Sequence, residues 1–230
     1  MPFTRRDILK AAAVISVGVL EIGQAPTAQA TGTDISHGPR NHAKVALTFH
    51  GAGAPDFADS LLKLFKLTDT KVSIFAVGTW LLTEPTIATR IIAEGHDLGN
   101  HTMTHTQMKT ISAKRVDSEI SKCASELKKL IGNQGAWFRP SGTQFSTPLI
   151  RATAIKYGYG QCISYDVDSR DFQDPSKKNV IHNVMSQVKN GSIISLHLGH
   201  KVTLDAMPIL LESLHGKGFI PVTLTELLKV

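Results

Sequence analysis

Apolar residues fall into short runs separated by longer amphipathic stretches, and the two alternate along most of the chain. β-rich runs occupy 45–49, 72–77, 136–138, 161–164, 192–196 and 219–222, and 96–99 reads as a further short strand. Between them, 56–66, 86–94, 112–131, 147–157, 179–189 and 204–215 carry the helical pattern. In the longest of these, Val116, Ile120, Cys123, Leu127, Leu130 and Ile131 recur at spacings of three and four, which places them on one helix face. Strands that alternate with helices of this length imply crossover units and a parallel sheet. The strand runs are almost continuously apolar, as expected where helices cover the sheet. The pattern therefore predicts a single α/β domain, a distorted (β/α) barrel of about seven parallel strands, with an open doubly wound sheet as the alternative. It spans 43–230, after a polar, turn-rich leader at 31–42.

The first thirty residues follow a different logic. Arg5 and Arg6 precede a weakly apolar stretch from Ala11 to Leu20, and Ala28-Gln29-Ala30 ends it. That order reads as a twin-arginine-type export signal with cleavage expected after Ala30. The apolar stretch is far short of the ~20 residues that cross a bilayer, so stable membrane insertion is not expected. Arg5, Arg6 and Lys10 against Asp7 and Glu21 give this segment +1, so the remaining chain keeps +5 of the formal +6. The lysines scatter over helices and aromatic residues are sparse, which argues against nucleic acid as a partner. Such a charge suits an acidic polysaccharide surface. The two cysteines, Cys123 and Cys162, form no C-x-x-C pair; a disulfide and two structural thiols both remain open.

Residues able to do chemistry collect just after the strand runs: His50, His101 and His105, Arg139, Asp166 and Asp168, and His197. In a barrel these strand ends share one rim, where sites are assembled from several loops. His101-Thr102-Met103-Thr104-His105 spaces two imidazoles four residues apart, a spacing that suits chelation of one divalent ion.

With those residues in place, a resemblance becomes specific. The segment from Gly95 to His105 resembles the second motif of the polysaccharide deacetylase family, which supplies two metal-binding histidines. Phe138-Arg139-Pro140-Ser141-Gly142 is similar to its arginine motif. Val167-Asp168-Ser169-Arg170-Asp171-Phe172 matches its aspartate motif, with Phe172 where tryptophan is usual. Ser192-Ile193-Ile194-Ser195-Leu196-His197 matches its final strand and histidine, with Ser195 where leucine is more common. The resemblance implies a barrel fold and a metal-dependent hydrolase that removes acetyl groups from N-acetylated or O-acetylated sugars of a cell-wall or related polysaccharide. Carried over by position, His101 and His105 bind the metal, His197 protonates the leaving nitrogen, and Arg139 with Asp168 forms a supporting charged pair. A monomer is expected.

The family's first motif, T-F-D-D-G, is where the chain departs. One of its aspartates is the catalytic base and the next is the third metal ligand. Here Thr48-Phe49 is followed by His50-Gly51, and both carboxylates are gone. His50 can restore the site in two ways: as third ligand beside His101 and His105, giving a three-histidine site of the kind that holds catalytic zinc, or as the base. Asp56, the nearest carboxylate in sequence, reads as a helix cap or a substitute ligand. Asp166 is expected to orient a catalytic histidine, with Asp171 as the competing choice. His200 reads as a loop residue, His182 and His215 as helix-surface residues, Trp80 as core or rim, and Trp137 as packing below the Arg139 strand. Two alternatives to hydrolysis of a sugar acetyl group follow from the missing aspartates: a catalytically impaired glycan-binding homologue, and a hydrolase of another non-peptide carbon–nitrogen bond.

Overall fold

A computed structural model describes residues 33–229; the expected export signal at 1–30 lies outside the described residues. The strands are β1 (Lys44–Gly51), β2 (Ser73–Ala76), β3 (Asp97–Asn100), β4 (Val167–Asp168), β5 (Ile193–His197) and β6 (Ile220–Val222). The helices are α1 (Pro55–Leu67), α2 (Gly78–Thr83), α3 (Pro85–Ala93), α4 (Ala113–Ile131), α5 (Pro148–Lys156), α6 (Lys177–Met185), α7 (Lys201–Gly216) and α8 (Leu224–Leu227). All strand pairs are parallel and run in the order β3-β2-β1-β5-β4, with β6 beside the first residues of β1.

Among the described residues six strands stand where about seven were expected. The runs at 136–138 and 161–164 contribute single bridges, Asn100 to Phe138 and Phe138 to Cys162, in place of full strands. Pro140, two residues beyond Phe138, has no N–H to extend a ladder. Conversely, the two-residue β4 pairs with β5 where no strand was read from the sequence. Beyond Cys162 the barrel is closed by the segment expected to be a surface leader. The Ile35 N–H donates to the Cys162 carbonyl, the Ser164 N–H donates to the Ile35 carbonyl, and His37 bridges to Ser192 at the start of β5. The buried Asp34 carboxylate accepts from the Ser146 N–H at 2.6 Å and from Arg151 at 3.3 Å. This strap satisfies main-chain groups that the gap in the wall would leave unpaired.

Strand alternation sorts β1 and β5 into two faces. Val45, Leu47 and Phe49, with Ile194 and Leu196, pack outward under α1, α3 and α7 with Leu61, Phe65, Ile91 and Leu210. Ala46 and Ile193 face inward at the bottom, where α8 plugs the barrel with Leu224 and Leu227. Above them in the lumen come Thr48 and Ser195, and above those His50 and His197 at the strands' carboxyl ends. Three layers thus lead from an apolar floor to a polar rim.

Candidate functional site

The rim opens into a cleft of about 390 Å³, lined among others by His50, His101, His105, Arg139, Tyr165, Asp168, Phe172, Ser195 and His197. Every residue assigned a site role from the motifs therefore reaches one cavity, although more than a hundred positions separate His50 from His197.

β3 delivers two of the imidazoles. The His101 N–H at Nδ1 donates to the Arg139 carbonyl at 2.9 Å, so the lone pair sits on Nε2, which is buried and has no hydrogen-bond partner. His105 lies edge-on to it with ring centroids 5.0 Å apart. The loop between them is held by side chains the sequence reading had not singled out. The Asn100 amide donates to the Ile120 carbonyl and the Tyr159 hydroxyl, and its oxygen accepts from the Thr102 N–H at 2.8 Å. The buried Glu119 of α4 accepts from the Thr104 N–H and hydroxyl, both at 2.7 Å, and from Arg115 at 2.7 Å. Thr102 and His105 adopt left-handed backbone, φ 69° and 54°, which this clamp sustains. Glu119 had a detectable signal: it interrupts the apolar face of α4 between Val116 and Cys123. Burial, and next His105, keep the His101 pKa well below the ordinary imidazole value; burial and then His197 lower that of His105. Both rings are neutral donors.

β5 and the loop after β4 deliver the second element. The His197 N–H at Nδ1 donates to Asp171 Oδ1 at 2.7 Å, and Asp171 Oδ2 accepts from the His197 main-chain N–H at 2.7 Å and the Thr203 hydroxyl at 2.6 Å. Burial alone would raise the Asp171 pKa, but its bonds from His197 and Thr203 bring it below the usual carboxylate value. Asp171, not Asp166, is thus the carboxylate that orients a histidine. Asp166 is occupied elsewhere, pairing with Arg40 at 2.7 Å and accepting from Ser192 and the Ile193 N–H.

The end of β1 differs from the expectations that His50 is the third ligand or a free base. His50 Nδ1 lies 2.7 Å from His197 Nε2, and its Nε2 lies 3.1 Å from Arg139. A guanidinium only donates, so Nε2 accepts and Nδ1 carries the proton that it donates to His197. Arg139, His50, His197 and Asp171 form one continuous hydrogen-bonded chain. With both nitrogens engaged, His50 stacks face to face on His101, centroids 4.5 Å apart, without presenting a free lone pair. Burial, then His101 and His197, and also Arg139, lower its pKa well below the ordinary value. Gly51, at the position of the family's third ligand, has no side chain to offer. Among the described residues no group of three histidine, cysteine, aspartate or glutamate side chains is placed to hold a metal ion. The orphaned His101 Nε2 suits a cation, yet the set falls one donor short of the three-ligand site the resemblance implies.

Two further expectations are corrected. Arg139 and Asp168 form no ion pair. The buried guanidinium donates to the Ile163 and Ser164 carbonyls, the Thr48 hydroxyl and His50, with the Phe75 ring 4.3 Å away. Burial lowers its pKa to about 9. Asp168 accepts from the Arg170 N–H at 2.9 Å and lines the cleft. Asp56 neither caps α1 nor lines the cleft; Ala54 holds the cap position. His200 bonds Asp174 at 2.9 Å beside the cleft, His182 and His215 are exposed, and the Trp80 indole is buried with its N–H on the Gly53 carbonyl. Cys123 and Cys162 are free, buried thiols. Among the described residues no helix is long and apolar enough to cross a membrane.

Comparison with known proteins agrees with this architecture. The sequence model of the polysaccharide deacetylase family matches residues 37–161. A peptidoglycan-N-acetylglucosamine deacetylase of Bacillus cereus is 27% identical over 195 residues, which cover 83% of this chain and 91% of the relative. A CE4 family pseudoenzyme from Bacillus anthracis superposes with a TM-score of 0.79 at 25% identity, over 85% of this chain and 68% of its own. A mutant of that pseudoenzyme with restored enzymatic activity superposes equally well, 0.79 at 26% identity, over 85% and 71%. From its motifs, its barrel and these matches, the chain belongs to the polysaccharide deacetylase family.

Proposed function

We propose that this chain recognises acylated amino sugars of a cell-wall or related polysaccharide in the cleft at the barrel's rim, and that its capacity to hydrolyse the acyl group is impaired. The observation that carries the reading is the double engagement of His50, by His197 at 2.7 Å and Arg139 at 3.1 Å, next to a glycine where a ligand is needed. A catalytic zinc site takes three protein donors and one open position. Here two donors are preset and the third is absent, so neither zinc nor another cation has its full cradle.

What remains suits binding. The cleft volume matches that of small-ligand sites. Tyr165 and Phe172 supply apolar faces, Phe172 at 46% exposure, and Gln107, Gln144 and Asp168 supply hydrogen bonds for sugar hydroxyls. The net charge favours an anionic wall polymer. The export signal expected at 1–30 would bring the cleft to such a polymer.

A second reading, hydrolysis, is favoured by one feature: the His197–Asp171 bond, which would prepare His197 to protonate a leaving nitrogen. On that reading His50, at the position of the family's aspartate base, gives up the Arg139 N–H and takes the proton of the attacking water at Nε2. Its Nδ1 proton passes to His197 Nε2, which delivers it to the leaving nitrogen.

Calorimetric titration with N-acetylglucosamine oligomers, beside an acetate-release assay with and without chelator and added zinc, separates the two. The proposal expects saturable binding with release about 10²–10⁴-fold below that of an intact family member, since that is what a positioned acid or base contributes. Release at the rate of an intact enzyme overturns impairment in favour of hydrolysis. No binding to any acylated oligomer rejects glycan recognition.

A further inference from the structure

In the lumen layer beneath His50 and His197, Thr48 and Ser195 are register partners, and Asp168 pairs with Ser195 from the other side. The two hydroxyls differ. Thr48 donates to the Ile194 carbonyl at 2.7 Å and accepts from Arg139 at 2.9 Å, so it is fully used within the protein. Ser195 is 1% exposed as a residue and lines the cleft; its hydroxyl bonds to no group among the described residues and is not one of the buried unpartnered atoms, so it opens onto the cleft. What fills the cleft decides whether this hydroxyl keeps a partner: water or a polar group supplies one, and an apolar group that displaces water does not. The polysaccharide deacetylase resemblance has leucine more commonly here, an apolar wall suited to a methyl group. This chain presents a donor and acceptor instead.

We propose that Ser195 makes the cleft floor a receptor for an acyl group bearing its own hydroxyl, so that a 2-hydroxyacetamido sugar is preferred to a plain acetamido sugar. The inference rests on the glycan-recognition reading and names the substituent that reading would take. Position assigns Ser195 to the acyl tail and not the ring: it lies on the lumen face of β5 two residues below His197, on the cleft floor. The tail's hydroxyl donates to or accepts from Ser195 Oγ, with the Asp168 carboxylate beside it as a second acceptor. An acetyl methyl in the same place buries the serine hydroxyl against carbon and leaves it unpaired.

The test compares the affinity of the full chain for N-acetyl- and N-(2-hydroxyacetyl)-glucosamine oligomers of matched length by calorimetry. The expected preference is about five- to tenfold for the hydroxyacetyl form, the yield of one neutral hydrogen bond. Ser195→Ala is expected to bring the ratio close to one, Ser195→Leu to reverse it, and Ser195→Thr, which keeps the hydroxyl, to retain it. Near-UV circular dichroism checks that each variant is folded, and the wild-type ratio decides even where a variant is not. Equal wild-type affinities, as a bound water shielding Ser195 would give, overturn the inference while leaving glycan recognition standing. A preference that survives in folded Ser195→Ala also overturns it. Failure of both oligomers to bind removes the parent reading and this inference together.

Discussion

The two walls of the cleft have been treated differently. On the β3 side, His101 is fixed by the Arg139 carbonyl, the Asn100 amide pins the loop, and Glu119 holds Thr104 from behind. An unpartnered imidazole nitrogen waits there. On the β1 side, the same family framework ends in His50 and Gly51, and His50 is absorbed into a chain of side chains reaching to Asp171. One wall is set to receive an electrophile; the other has turned its functional group inward to satisfy Arg139. A buried guanidinium needs acceptors, and a neutral imidazole can supply one without completing a cation site. Having His50 and Gly51 where the family resemblance implies two carboxylates therefore bears on more than ligand count, because the His50 ring accepts from Arg139 instead of facing the cleft with a free lone pair.

Repairing the poorer wall should produce the largest effect. Gly51→Asp adds a carboxylate at the missing ligand position, and zinc binding followed by calorimetry should tighten about 100-fold or more, since even outer partners of metal ligands are worth 10–100-fold. The Cβ would lie 3.1 Å from Ile74 Cγ2 and 3.2 Å from Ala76 Cα, so the site must yield by a few tenths of an ångström. Unchanged zinc affinity in a folded Gly51→Asp protein would show that the β3 wall is not the ligand half of a cation site.

Dismantling the better wall comes next. Glu119→Ala strands the Thr104 N–H and frees the left-handed loop at His105, and is expected to cost about 2–3 kcal/mol in urea denaturation, as removal of a buried acceptor does. Arg115, half exposed, contributes little to this loss. If stability is retained, the loop is held by Asn100 alone and the contrast between the walls is smaller than the geometry implies.

The start of β3 offers a pH test. His96 is buried, accepts the Val72 N–H at Nδ1, and has no partner at Nε2. Burial, with Lys71 nearby, lowers its pKa from 6.5 to about 4. Between those values the unfolded chain binds more protons than the folded one, so this contribution is complete above about pH 6.5 and is lost as pH falls. From about pH 7 to about pH 5 the loss attributable to His96 should be about 2 kcal/mol, and His96→Gln should remove that part of the slope. An identical slope in the variant would place the acid sensitivity elsewhere.

The contrast between the walls also explains what could be read from the chain. His101, His105, Arg139, Asp168 and His197 come at or just after short β-rich runs, and a barrel brings such ends together wherever they fall in sequence, so their convergence was legible. This holds even though the runs at 136–138 and 161–164 form only single bridges. The partners were not. Whether Arg139 meets Asp168 or His50, and whether Asp166 or Asp171 reaches His197, depends on loop paths set by single residues such as Arg170, which takes a left-handed turn at φ 56° just before Asp171. The strap at Asp34 and Ile35 was illegible for a related reason: it fills main-chain vacancies in a broken wall, and polar turn-rich sequence does not say which vacancies exist. Glu119 was legible in principle, as a charge on an apolar helix face.

The smallest predicted effect reports on the β3 wall without disturbing it. Cys123 packs from α4 behind that wall, its thiol reaching the Ala76 carbonyl at 3.5 Å, and burial raises its pKa to about 12; Cys162, beside the Phe138 bridge, is raised to about 11. The thiolate is the reactive form, so neither residue should be alkylated by iodoacetamide in the folded protein near neutral pH, and both should be modified in urea. Mass spectrometry should find no change on reduction, as the cysteines are unpaired. Because only opening exposes them, their relative rates rank the stability of two regions: slower labelling of Cys123 than of Cys162 is expected if the clamp around Glu119 and Asn100 makes the β3–α4 wall the more rigid. Faster labelling of Cys123 would mean that the wall with the better geometry is the one that opens first, and that its preset histidines owe their arrangement to packing weaker than that of the strap side.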